Sequence, residues 1–163
     1  MITSPKVRKR RIQKLLDRSG GGTSTTTALD RLPEALAAEI RRRVSLGPGE
    51  EALLASFQST ESWCLLTTEQ LLWCQDGCVG ALAWPDVQGV EQPPAITAGI
   101  IRGEVDKRTV ENLEVFDSED RKYTLRIEPG SAYYLIWSAL VALGNLTRPP
   151  DPIDLGAPPA AAR

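Results

Sequence analysis

Apolar positions along this chain change period twice. From residue 5 to residue 44 they recur every three or four positions, which is helical spacing. From 52 to 91 they fall into short runs separated by tight polar turns, which reads as strands. From 131 to 143 helical spacing returns, with Tyr133, Ile136, Trp137, Leu140 and Leu143 on one broad face. Strands are predicted at about 52–58, 62–67, 71–76, 78–84 and 87–91, joined by Ser59-Thr60-Glu61, Thr68-Glu69-Gln70 and Asp76-Gly77. Two more follow at 112–116 and 122–128, where Leu113, Val115, Tyr123, Leu125 and Ile127 alternate with polar neighbours. Between them, Pro93 and Pro94 break the pattern, and Ala98 to Val105 reads as either a short strand or a loop.

The N-terminal third adds two helices. Residues 5–18 are good helix formers, with Pro5 acceptable in a first turn and a modest apolar side made by Ile12, Leu15 and Leu16. Leu32, Leu36, Ile40 and Val44 predict a second helix at 30–45, with Asp30 as N-cap and Leu46 to Gly49 as its stop. The stretch GGGTSTTT between them has the composition of a flexible linker. The chain is therefore expected to divide into a tethered basic arm (1–18), a linker (19–29), an amphipathic helix (30–45), a mainly β domain capped by its C-terminal helix (46–146), and a disordered Pro/Ala-rich tail (147–163).

Charge sharpens the picture of the arm. Net charge is −2, yet residues 1–18 carry +6 and residues 19–163 carry −8. Lys6, Arg8, Lys9, Arg10, Arg11 and Lys14 are thus the candidate anion- or membrane-binding residues. An anionic membrane surface is favoured over nucleic acid, because no aromatic residue interleaves these cations as a stacking platform. Arg41-Arg42-Arg43 reads as a solvated cluster at a helix C-terminus. Trp63, Trp73, Trp84 and Trp137 read as core.

Catalysis and metals find little support. The chain has no histidine, so neither a Ser–His–Asp nor a Cys–His site can form within it. Three cysteines are too few for a structural zinc site, and no catalytic residue, metal or cofactor is expected. Cys64, Cys74 and Cys78 read as thiols of a reducing, cytoplasmic compartment. A hairpin centred near Glu69 would set Cys64 opposite Cys74, where a cross-strand disulfide is geometrically conceivable. Asp117, Glu119 and Asp120 read as a solvated turn. The basic N-terminus lacks the apolar stretch of a secretory signal, and no apolar run approaches the ~20 residues of a membrane span.

Several local patterns carry a family likeness. Pro48-Gly49-Glu50 resembles the P-G-E opening of bacterial pleckstrin-homology-like (PH-like) domains, and Leu65 to Leu72 resembles their L-x-x-T-x-x-R-L hairpin. Trp84-Pro85-Asp86-Val87 with Val90, and the hairpin from Asp117 to Ile127, are similar to their later motifs. The resemblance covers about Pro48 to Leu146 and implies a half-open antiparallel barrel of about seven strands, capped by a C-terminal helix. It implies a non-catalytic binding or scaffold protein; a protein or peptide partner is expected, with the basic arm, by its charge, favouring the inner face of a membrane. Gln70 stands where Arg is common, and the first hairpin loop is acidic, so the likeness does not extend to phosphoinositide headgroups. The alternatives are a nucleic-acid-associated protein using the arm and a homo-oligomeric module assembled through sheet edges.

Overall fold

The computed structural model describes residues 4–147. It is a mixed α/β structure with two antiparallel sheets and four helices. The five-stranded sheet runs in the order β1 (Thr26–Thr27), β2 (Ala52–Ser59), β3 (Ser62–Thr67), β4 (Gln70–Gln75) and β5 (Cys78–Ala83). The three-stranded sheet runs β6 (Val87–Glu91), β7 (Asn112–Asp117) and β8 (Lys122–Arg126). Short hairpin turns join β2 to β5 in succession and β7 to β8, whereas the connections from β1 to β2 and from β6 to β7 each carry a helix. The helices are α1 (Pro5–Arg18), α2 (Glu34–Arg43), α3 (Pro94–Ile101) and α4 (Ser131–Thr147).

The period of two in β2–β4 sorts side chains into two cores. Leu54, Cys64, Leu66, Leu71, Trp73 and Leu82 face inward, toward the three-stranded sheet, α1 and α4. Ala55, Phe57, Trp63, Leu65, Leu72 and Cys74 face the other way, against Leu29, Leu32, Ala37 and Ile40 of α2 and the turn before it. Every residue of β3 is buried as a result. That is why this stretch is apolar at nearly every position.

The pairing register settles the cysteine question. Cys64 lies opposite Trp73, and Cys74 opposite Trp63, because the turn is one residue shorter than a centre at Glu69 requires. A one-residue shift sends side chains to opposite faces. Cys64 belongs to the inner core and Cys74 to the outer one, so the two cannot be bridged. Burial pushes the Cys64 thiol up to about 12.

Three further expectations are corrected. The helix α2 begins at Glu34 with no side-chain cap, and Asp30 lies in a separate 3-10 turn, Leu29–Arg31. Residues 98–105 are neither strand nor simple loop: Pro94 occupies the first turn of α3, where its missing N–H costs nothing. Val105 then folds back over Gly99, which a side chain would obstruct, its Cβ falling 2.6 Å from Val105 Cγ2.

The third correction concerns the arm, which is built into the domain. Ile12 and Leu16 are 1% and 2% exposed and join the inner core, where α1 packs on α4 and β2. The supposed linker is pinned as well. Thr26 and Thr27 pair with Ser56 and Ala55, and the Thr23, Thr25 and Thr26 hydroxyls donate to one oxygen of Glu128 at 2.6, 2.6 and 3.0 Å. Threonines that read as linker in composition thus act as a clamp on a half-buried carboxylate. Burial alone would raise its pKa, but the three hydroxyl donors hold it below the usual carboxylate value. Of the tail expected at 147–163, Thr147 ends α4, and residues 148–163 lie outside the described residues.

Candidate binding surfaces

The six cations proposed from the sequence separate into two groups. Arg8 is 2% exposed; it donates to the Thr68 carbonyl and, at 3.2 Å, to Glu69 Oε2. Lys9 pairs with Glu51. Arg8 is thus withdrawn from any external anion, while Lys9, although exposed, already has a carboxylate partner. Lys6, Arg10, Arg11 and Lys14 are exposed on the opposite face of α1, where Arg18 joins them. At about 100° per residue these five side chains cover roughly 140° of the helix circumference. Among the described residues none of the five makes an ion pair.

The contrast with α2 is informative. Arg41 pairs with Glu34 at 3.1 Å, while Arg42 and Arg43 pair with Glu39 at 2.6 and 2.7 Å. Hydrogen bonds from Arg42, with its positive charge and that of Arg43, outweigh desolvation and lower the Glu39 pKa. Each arginine of the triple run therefore has a carboxylate partner on its own helix, Glu39 serving two of them. Sequence alone made the two basic runs look alike.

The hairpin at Thr68-Glu69 does hold a cation, supplied by α1. Gln70, at the position where the resemblance leads one to expect Arg, donates to Glu50 Oε1 at 3.0 Å, and Thr67 and the Gly47 N–H bond the same carboxylate. Burial acts to raise the Glu50 pKa, but these donors keep it below the usual value. Arg8 then reaches the turn from outside the motif. In the other acidic hairpin Glu119 and Asp120 are exposed as expected, but Asp117 is not solvated: it is 1% exposed. It accepts from Arg121 Nε at 2.7 Å, the Tyr123 hydroxyl at 2.9 Å, and the N–H groups of Glu119 and Arg121. Against the opposing effect of burial, these donors lower its pKa from 3.8 to about 2.

A second surface lies where β6 meets α4. The strand β6 ends the three-stranded sheet, and among the described residues no strand pairs with its outer side. Two cavities of about 250 and 530 Å³ follow this edge and share Val90 and Glu91. The first is walled by Leu140, Val141 and Gly144 of α4; the second by Trp137, Thr97 and Ile101. The trench is tightest near Val87, where a Cβ on Gly144 would lie 3.5 Å from Val87 Cγ1. It widens toward Trp137 and Ile101, the latter 81% exposed. No Lys or Arg lines either cavity, and Glu91 is exposed beside them.

Trp137 meets its expected core role only in part: it packs against the inner core beside Tyr133 and stacks on Tyr134 at 6.1 Å but is half-buried, whereas Trp63, Trp73 and Trp84 are buried. The trench draws on residues 87–92, 94–101 and 137–145, which only the fold brings together. The one hint in the sequence is the surplus of apolar residues around α4. Among the described residues, no three His, Cys, Asp or Glu side chains converge as a metal site, and no helix is long and apolar enough to cross a membrane. In comparisons with known proteins, no family model, no curated protein and no solved structure matches this chain.

Proposed function

We propose that this protein is a PH-like, non-catalytic binding module that holds an extended segment of a partner protein in the trench between β6 and α4. Support for the PH-like reading is topological. Four meander strands (β2–β5) precede three (β6–β8), both sheets share one inner core, and the following helix closes that core with Ile136, Ala139, Leu140 and Leu143. The strand β1, the helix α2 on the outer face and the helix α3 are additions to that plan.

The observation that carries the binding reading is the unpaired edge of β6 beside a trench whose wider end, at Trp137 and Ile101, is apolar. An extended peptide added there would exchange backbone hydrogen bonds with the strand and drop alternate side chains between β6 and α4. Trp137 and Ile101 would receive the larger of these. Glu91, with no cation nearby in the lining, favours a Lys or Arg on the incoming segment. The bulge between Val87 and Gly89 confines pairing to the stretch from Gly89 onward.

The test is selection of random displayed peptides on the full-length protein, followed by affinity measurement on the consensus peptide. The expected consensus has apolar residues at alternate positions and a basic residue. Trp137→Ala should weaken its binding about tenfold or more, as expected for an aromatic anchor. Peptides whose affinity survives both Trp137→Ala and Val141→Glu would refute the site. Elution of the free protein as a dimer that Val90→Lys dissociates would instead assign the edge to a second copy of this chain.

A further inference from the structure

We infer that the outer face of α1 docks this protein on an anionic phospholipid surface, independently of the trench. Anchoring is what turns a basic sequence into a surface. Arg8, Ile12 and Leu16 point inward, so Lys6, Arg10, Arg11, Lys14 and Arg18 are held outward together. From Lys6 to Arg18 the face is about 18 Å long at 1.5 Å per residue.

Among the described residues these cations lack carboxylate partners, whereas Lys9, Arg41, Arg42 and Arg43 all have them. Arg31, Lys107 and Arg108 also lack carboxylate partners among the described residues, but α1 gathers five such cations on one face, where its one carboxylate, Asp17, is bonded to Gln13. Because residues 19–163 carry −8, other faces of the body are repelled by an anionic layer, and that repulsion orients the molecule with α1 toward it.

Lipid is favoured over nucleic acid by what accompanies the charge. Val7 sits among the cations and is 42% exposed, suited to shallow insertion between headgroups, as are the aliphatic stems of Lys and Arg. No aromatic residue lies on this face to stack on bases. Gln13, which could contact a base edge, is bonded to Asp17 at 2.8 Å.

Co-sedimentation of the full-length protein with phosphatidylcholine vesicles, with and without phosphatidylserine, tests this. Retention should require phosphatidylserine and disappear at about 0.5 M salt, where screening shortens to a few ångströms. The triple variant Arg10→Gln/Arg11→Gln/Lys14→Gln should keep its melting temperature and lose partitioning by about a hundredfold, near fivefold per charge. The variant Arg41→Gln/Arg42→Gln removes two charges from α2, which on α1 would cost about twenty-five-fold, and should partition like the parent. No retention on phosphatidylserine vesicles at low salt overturns the inference. So does equal loss in both variants, or retention on duplex DNA without retention on vesicles.

Discussion

Replacing Arg8 by alanine should destabilise the fold by about 3 kcal/mol, although the residue lies in a run of surface cations. The magnitude follows from its surroundings. Loss of a charge-assisted bond that leaves the buried Thr68 carbonyl without a partner costs about 2–3 kcal/mol. The packed aliphatic stem adds about 1 kcal/mol. The ion pair adds little, because Glu69 is 48% exposed and rehydrates. Some of the loss is recovered because Arg8 Nε is itself buried without a hydrogen-bond partner. Urea unfolding would read the change directly, and the melting temperature should fall by roughly 6–12 °C for a chain of this size. Lys9→Ala is the control: both members of its pair are more than half exposed, at 58% and 53%, and it should change stability by under about 0.5 kcal/mol. Arg8→Met, which keeps the stem volume, should fall between the two. Equal, near-zero effects of Arg8→Ala and Lys9→Ala would show that α1 is a tether after all.

Other expectations are independent of that one. Asp117 has its pKa depressed in the folded state, so its stabilisation is complete above about pH 4 and drains away as pH falls toward 2. Melting curves of Asp117→Asn and parent should therefore lie apart near neutral pH and converge in that acidic window; a constant separation would contradict the assignment. Gly80 lies under the Trp73 indole, where an added Cβ would overlap the ring and approach Nε1 to 2.8 Å, so Gly80→Val should cost about 1–3 kcal/mol and shift tryptophan emission. Thiol titration of the native protein should find Cys78 alone reactive, with Cys64 and Cys74 responding only after denaturation. A native disulfide linking Cys64 to Cys74 would overturn the strand register.

The sequence showed the local elements more clearly than how they dock. Strands β2 to β6 sit within a residue or two of their expected limits, because hairpin-length turns punctuate them. The two-sided burial of β3 was not legible from its run of apolar residues, which fits either a central strand or a buried helix segment. The docking of α1 was hidden for a similar reason. Ile12 and Leu16 make a narrow stripe, and nothing local says that Arg8 turns inward to a carbonyl sixty residues away. The clamp on Glu128 spans about a hundred residues and leaves only a run of threonines that mimics a linker. In α3, Pro93-Pro94 reads equally as a breaker or as a helix start. The trench joins three distant segments, so its existence depends on topology.

Chemical-shift mapping of the full-length protein with a selected peptide tests the account most directly. Binding through the β6 edge predicts that perturbed backbone resonances concentrate at residues 87–92 and 137–145, with amides of β6 gaining protection from exchange. Perturbations centred instead on the outer face of α2, with β6 unchanged, would contradict it.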